Sequence, residues 1–427
     1  IATAMLLATM AALAAPDIVC VGQVVDELDE PMPGVTISVP GTATATSTDY
    51  DGKYKLRVAA STKVIKISFI GYKTLEMAPA ADMGVIKMSP ESKMLSDVVI
   101  TQSIGKTRET PVAMSTIGSG DIEFKLGGQE FMELLKTTPG VYTIRQGGGF
   151  GDAETRMRGF KSANVAMMVN GIPINDMEWG GVYQSNWAGL SDVASNIQTQ
   201  RGLGATIVST PSIGGTINIT TRTIDVEKGG SLWYGMGNDA MNQIGFKVST
   251  GLMSNGWAVT ILGSRKWGDG YIQGTNFNSY NYFVNVSKRI NDAHQLAFTV
   301  FGAPQSHFQR SSYDGLSIEG WQNVKDWMDG KSMYRYNATY GFDRHGKQMS
   351  SYYNVYHKPQ ISLNHTWQIN ETSSLSTAVY VSVASGYGLG GYGRNGYSSS
   401  DWYGSSNGVL NTKFRCPDGT FDYAAIQ

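Results

Sequence analysis

Val165-Ala166-Met167-Met168-Val169-Asn170-Gly171-Ile172-Pro173-Ile174-Asn175-Asp176, VAMMVNGIPIND, decides how this chain is read. Two apolar runs flank Asn170-Gly171, a dipeptide that takes positive φ at both central positions of a tight turn at little cost, so the stretch predicts strand, turn, strand. Working outward, QEFMELLK (129–136) places Phe131, Leu134 and Leu135 on one helical face, and Pro139-Gly140 ends that helix. On the other side, NIQTQRG (196–202) and GGTINITTR (214–222) have strand character. Residues 106–223 are therefore predicted to be a mixed α/β domain of modest size.

Further downstream, from about residue 230, the period becomes almost purely two. In ISLNHTWQI, Ile361, Leu363, His365, Trp367 and Ile369 oppose Ser362, Asn364, Thr366 and Gln368. In LSTAVYVSV, Leu375, Val379, Val381 and Val383 oppose Ser376 and Ser382. WAVTILGSR and YFVNVSKRI behave alike, separated by turns such as Asn255-Gly256 and Asn291-Asp292. Such alternation fits an outer-membrane β-barrel and equally a soluble sandwich or propeller.

Upstream, residues 20–89 alternate strand and turn signals. Val35, Ile37 and Val39 share a face, as do Tyr54, Leu56 and Val58, enough for two sheets to bury a small core as a β-sandwich. Ser47-x-Asp49-x-Asp51-Gly52 imitates the start of a calcium loop, but the twelfth position is Val58 where a bidentate Glu is required, so it is taken as a tight turn with no metal. The first residues, IATAMLLATMAALAA, have the length of a signal-peptide apolar region and are too short to span a bilayer; residues 1–15 are expected to be the remnant of an export signal. Cys20 is expected in the core, with a lipid-anchored Cys20 as the second option. Cys416 is expected to find any loop partner beyond residue 427.

Composition narrows the function classes. The chain has 427 residues, 34 Lys+Arg against 35 Asp+Glu, 51 Gly, 22 Tyr and 9 Trp. A near-neutral balance offers no basic field for nucleic acid, and the Gly and aromatic content suits many short strands or a membrane aromatic girdle. No HExxH, G-x-S-x-G or paired Cys/His constellation is present. Gly105-Lys106-Thr107 lacks the Gly that a phosphate loop needs at position 100, which is Ile, and the glycine runs 147–151 and 202–204 lack a dinucleotide-site context. The chain is read as a non-enzyme without catalytic residues, cofactor or metal.

Residues 20–90 resemble the carboxypeptidase regulatory-like domain, through Val21, Asp26, Pro31, Gly34, Val35, Gly41, Thr42, Thr48, Asp49, Asp51, Gly52, Tyr54, Phe69, Gly71 and Tyr72. Residues 106–223 resemble the plug of TonB-dependent outer-membrane transporters. The motifs occur in order: T-R-M-R-G-F (155–160), V-N-G-I-P-I-N-D (169–176), Q-R-G (200–202) and S-I-G-G-T-I-N-I-T-T-R (212–222). Asn170 stands where Asp is common, and Ile197-Gln198-Thr199 replaces I-E-V. The resemblance implies a mainly β chain: regulatory-like sandwich, linker (91–105), α/β plug, and from 224 to 427 the start of a transmembrane antiparallel barrel. Family barrels have about 22 strands. The residues after 223 hold seven or eight strand-length segments, so the chain is expected to stop mid-barrel, neither closing nor transporting alone, with an aggregation-prone edge.

The resemblance also implies roles. Asp97, Val98, Val99, Ile100 and Thr101 (DVVIT) match the TonB box, an extended segment that adds to another protein's sheet edge; the alternative is a last strand of the first domain. Arg158 and Arg201 match plug arginines that pair with barrel-wall glutamates, here in portions of barrel beyond this chain, with solvent-facing arginines as the alternative. DMEWGGVYQSNW corresponds to a plug apex facing the exterior, where Asp176, Glu178, Trp179, Tyr183, Gln184, Asn186 and Trp187 would contact ligand or simply pack. The implied function is TonB-dependent import of a siderophore, cobalamin or glycan across a Gram-negative outer membrane. The first domain and box would lie in the periplasm; the partners would be TonB with its energising complex, outer-membrane lipid, the cargo and, as in SusC-like importers, a SusD-like surface lipoprotein. The alternative is a secreted β-rich adhesin or carbohydrate-binding protein.

Overall fold

The computed structural model describes residues 17–89 (except 27, 28, 33, 50, 70 and 71), 113–202 (except 152), 212–221, 228–389 (except 292, 311–314, 371 and 372) and 408–426. Residues 1–15, expected to be a signal remnant, and Asp97–Thr101 lie outside the described residues. The chain divides into two units, Ile1–Val98 and Val99–Gln427.

In the first unit, Ile18–Val25 pairs antiparallel with Lys53–Val58 and parallel with Asp82–Lys87. A second sheet runs in the order Ala45–Ser47, Thr36–Ser38, Ile65–Ser68, Leu75–Met77. Between them lie Cys20, Val24, Val35, Ile37, Leu56, Val58, Ile65 and Ile67, with Val39 packed alongside, so the alternating faces and the core role of Cys20 are as expected. At the calcium-like stretch the Asp49 carboxylate accepts hydrogen bonds from the backbone N–H groups of Asp51 (3.0 Å) and Lys53 (2.8 Å), which makes it a turn cap. Gly52 is left-handed at φ 72°, and a Cβ there would lie 2.5 Å from the Val24 carbonyl oxygen. Gly52→Ala therefore combines backbone strain with a backbone clash, and we expect chemical denaturation to show a loss of about 2–3 kcal/mol in this unit.

The plug portion of the second unit is a five-stranded sheet in the order Ile172–Pro173, Val165–Val169, Gly215–Thr221, Ala194–Arg201, Met114–Gly118. Val165–Val169 runs parallel to Gly215–Thr221; the other pairings are antiparallel. The hairpin forms as predicted, with Val169 opposite Ile172 and positive φ at Asn170 (52°) and Gly171 (76°). Asn170 suits this place because its amide both donates to Thr221 Oγ1 (2.8 Å) and accepts from the Thr221 backbone N–H (2.8 Å), tying the turn to a strand distant in sequence.

The helix expected at Gln129–Lys136 is corrected in kind. It is a 3₁₀ helix, Phe131–Thr137, in which Phe131, Met132, Glu133, Leu134 and Leu135 are all buried, so it has no single apolar face. Burial alone would raise the Glu133 carboxyl, but hydrogen bonds from Arg145 and Lys136 outweigh it and hold it below its ordinary range. An α-helix not anticipated, Ser119–Leu126, precedes it, with an Asp121–Lys125 pair (3.3 Å) along one side and Gly127 at φ 46° ending it. Its sequence, with Ile122, Phe124 and Leu126 spaced by two, imitates a strand.

The rest of the second unit is an antiparallel meander. Gly229–Met236, Asn242–Ser249, Trp257–Gly268, Phe277–Arg289, His294–Gly302, Gln360–Gln368 and Ser374–Ser382 pair successively. The last three are continued beyond short breaks by Gln305–Phe308, Tyr353–His357 and Ser385–Leu389. Side chains sort against the soluble-protein rule. Ser279, Asn285, Ser287, Thr299, Ser362 and Asn364 are buried on the concave face, while Ile261, Phe298, Ile361, Leu363 and Val379 are exposed on the other. Polar-in and apolar-out is the barrel pattern, which removes the sandwich and propeller alternatives.

The outward face is also banded. At the short-turn end, Lys288 Nζ lies 5.0 Å over the Trp257 ring, and His294 stacks on His365 and Trp367. About ten residues along the same strand, Arg265 covers Trp267 (4.6 Å) and Tyr280 (5.2 Å). At roughly 3.3 Å per residue and a tilt of about 40°, the band between these amphipathic belts is about 25 Å tall, the thickness of an outer-membrane apolar zone.

Candidate functional site

The plug packs against the concave wall, and the two share one hydrophobic core. Ile117, Phe131, Leu135, Leu190 and Ile217 of the plug cluster with Leu262, Phe277, Phe283 and Phe301 of the wall. Trp187, 2% exposed, lies parallel to Phe301 with centroids 6.0 Å apart.

Within this contact sits an ion pair that sequence reading missed. Lys266, on the concave face of Trp257–Gly268, donates to Glu130 Oε1 (2.6 Å) and to the Gly128 carbonyl (2.9 Å). The two side chains are only 12% and 10% exposed. Glu130 is held in place as the cap of the 3₁₀ helix, so the helix start and the wall are joined through one carboxylate. In this pair the plug supplies the acid and the wall the base.

Asp192, in the one-turn helix Leu190–Val193, stands beside this pair. Burial is the larger cause and the charge of Glu130 the second, pushing its carboxyl up to about 7 against the opposing pull of Lys266 and Lys247. The folded protein thus binds this proton more tightly than the unfolded chain does, whose Asp titrates near 4. The stabilisation from the bound proton is fully present below pH 4 and is lost as pH rises through about 7. Asp192→Asn is expected to flatten thermal stability across that window and to exceed the parent at pH 8; identical slopes for both would refute this.

A second junction involves the glycine run 147–151, which the sequence offered only as a rejected dinucleotide loop. The Gly147 carbonyl accepts from the Arg310 backbone N–H (2.8 Å) and that of Gly148 from Tyr271 N–H (3.0 Å), while Phe150 stacks on Phe277 at 4.5 Å. Gly148 has φ 127°, and a Cβ there would lie 2.6 Å from Thr275 Oγ1. Only glycine allows backbone this close to the long loops of the wall.

The sequence-predicted residues fall as follows. Arg201 bonds plug carbonyls, Pro139 through Nη1 (2.9 Å) and Met114 through Nη2 (3.3 Å), and Arg158 lies next to Gly140 and Gly202 at a φ of 50°. These contacts gather the two arginines at the edge of the plug. In the proposed apex, Gln184, Asn186 and Trp187 are buried, with Gln184 Nε2 donating to Thr155 Oγ1 (3.1 Å). Those three pack. Asp176 Oδ1 caps its own loop, accepting from the backbone of Glu178 (2.9 Å) and Trp179 (3.2 Å). Trp179 and Tyr183 are exposed, their rings 5.1 Å apart and edge-to-face.

Residues 20–100 match the family described as CarboxypepD_reg-like domain, and residues 106–216 match the TonB-dependent Receptor Plug Domain. The chain carries a TonB-dependent receptor plug domain. TonB-dependent receptor P39 of Formosa agariphila is 29% identical over 208 residues, which is 47% of this chain and 19% of that protein. TonB-dependent receptor SusC of Bacteroides thetaiotaomicron is 28% identical over 209 residues, 47% of this chain and 20% of that protein. The chain thus matches about a fifth of the length of these curated relatives. Among solved structures, the closed form of the ferric-catecholate import receptor Fiu from Escherichia coli K12 superposes with a TM-score of 0.51 at 14% identity, covering 67% of this chain and 38% of that one. At that identity the likeness concerns the fold, a plug within a barrel. Among the described residues no helix is long and apolar enough to cross a membrane.

Proposed function

We propose that this receptor imports a nutrient across the outer membrane of a Gram-negative bacterium, with the plug displaced by TonB pulling on Asp97–Thr101. The observation that carries the reading is the shared core of plug and wall: a sheet seated in a polar-in, apolar-out arc obstructs the route through the barrel and is too well packed to leave unaided. Nothing in the sequence suggests a nucleotide site, so the work must come from outside, and a strand-adding segment ahead of the plug is a suitable handle. The cargo is a siderophore, cobalamin or glycan, and the likeness to SusC supports a SusD-like surface lipoprotein as partner. In this reading the regulatory-like domain lies in the periplasm, Arg158 and Arg201 lock the plug edge to further barrel strands, and the exposed Glu178, Trp179 and Tyr183 contact ligand.

The full-length receptor is expected to fractionate with the outer membrane and to migrate faster on gels when unheated. Growth of a deletion strain on single iron, cobalamin and glycan sources should reveal one defect, reproduced by deleting TonB. A soluble monomer, or uptake independent of TonB, would favour the adhesin instead.

A further inference from the structure

The loops above the glycine run enclose a cavity of about 520 Å³ that the plug contacts leave unexplained. One side is the tight turn carrying Asp239, the second the loop Asp269–Asn276, and the third the long insertion between His294–Phe308 and Tyr353–Gln368. That insertion is folded, not merely long: Val324, Met328, Tyr336 and Ala338 form a separate core with Phe421 and Tyr423, and the Tyr336 hydroxyl donates to the Gly419 carbonyl (2.8 Å). The loops are tied to one another as well. Gln348 Nε2 donates to the Gly274 carbonyl (3.0 Å), and the Gln273 N–H donates to the Arg335 carbonyl (2.8 Å). The cavity is therefore pre-formed, and its size is that of a small-ligand site.

Its chemistry selects among ligands. Tyr271, Trp327 and Tyr340 bring aromatic rings to the lining, the groups on which the apolar faces of sugar rings stack. Arg335 forms an ion pair with Asp239 and lies 4.4 Å over the Tyr271 ring, so its charge is already engaged. The other charged lining residues are Asp269 and Asp329 against Lys331, a balance that repels anions. Gln273, Asn276 and Gln348 add neutral amide side chains to the lining, groups suited to ligand hydroxyls. We infer that this cavity binds a short, uncharged, polyhydroxylated ligand of the oligosaccharide class. The Tyr271 N–H donates to the Gly148 carbonyl, which joins the cavity loop to the plug. This inference rests on the import reading and narrows its cargo.

The test uses the detergent-solubilised full-length receptor and saturation-transfer-difference NMR, with a mixture of neutral di- to tetrasaccharides of glucose, xylose, mannose and galactose as probe. Sugar-ring protons should be saturated, and neither a ferric tris-catechol complex nor cyanocobalamin should displace them. Tyr271→Ala should weaken binding about tenfold or more, while Tyr271→Phe keeps the ring and the affinity. The inference is overturned if no saccharide is saturated, if the ferric complex or cobalamin competes, or if Tyr271→Ala binds as the parent does. TonB-dependent uptake of a non-saccharide cargo would overturn it while sparing the import reading. Saccharide binding without any uptake would do the opposite.

Discussion

Val99→Pro reduces uptake to the level of a strain lacking TonB while leaving surface binding of cargo unchanged. That is the expected result if Asp97–Thr101 acts as an added strand, because proline removes a backbone donor from the middle of the new ladder and its ring disfavours pairing. Binding is expected to be spared because the plug sheet is built from strands within 114–221 and the loop cavity from residues within 239–348. The informative measurement is uptake and binding of the same labelled cargo in the same cells. Uptake that survives the substitution would remove the role assigned to this segment, as would an equal loss of both.

The second large effect is expected at the plug–wall pair. Lys266→Met leaves Glu130 nearly buried beside Asp192 without its cation. Removing one partner of a buried pair costs about 3–5 kcal/mol, because the remaining charge stays desolvated. Thermal unfolding of the purified full-length receptor should fall accordingly, and cells should become permeable to vancomycin as the plug loosens. The exchange Glu130→Lys with Lys266→Glu should recover part of the loss, giving a double-mutant coupling well above 1 kcal/mol. It should not recover all, since the exchanged lysine cannot cap the 3₁₀ helix as Glu130 does. Additive losses would mean that the pair contributes no specific attraction.

What the chain itself settles is local and periodic. The Asn170-Gly171 turn, the inward faces around Ile37 and Leu56, and the two-residue alternation through 361–383 are each written in consecutive residues, because hairpins and half-buried strands are decided by neighbours one or two positions away. The plug assignment came instead from the resemblance carried by the motif order from 155 to 222.

What consecutive residues could not contain was which face of the meander is inside, and what meets it. Ile361 and Leu363 look like core until the fold places Ser362 and Asn364 against the plug. Ser119–Leu126 imitates a strand in its spacing and is a helix because Gly127 and the surrounding packing end it there. Glu130 and Lys266 are separated by 136 residues, and nothing near either announces the other. The loop cavity likewise needs three segments between 239 and 348. Such contacts come from the register of long-range pairing, so only the folded molecule sets the distances, burial and charge balance on which the site depends.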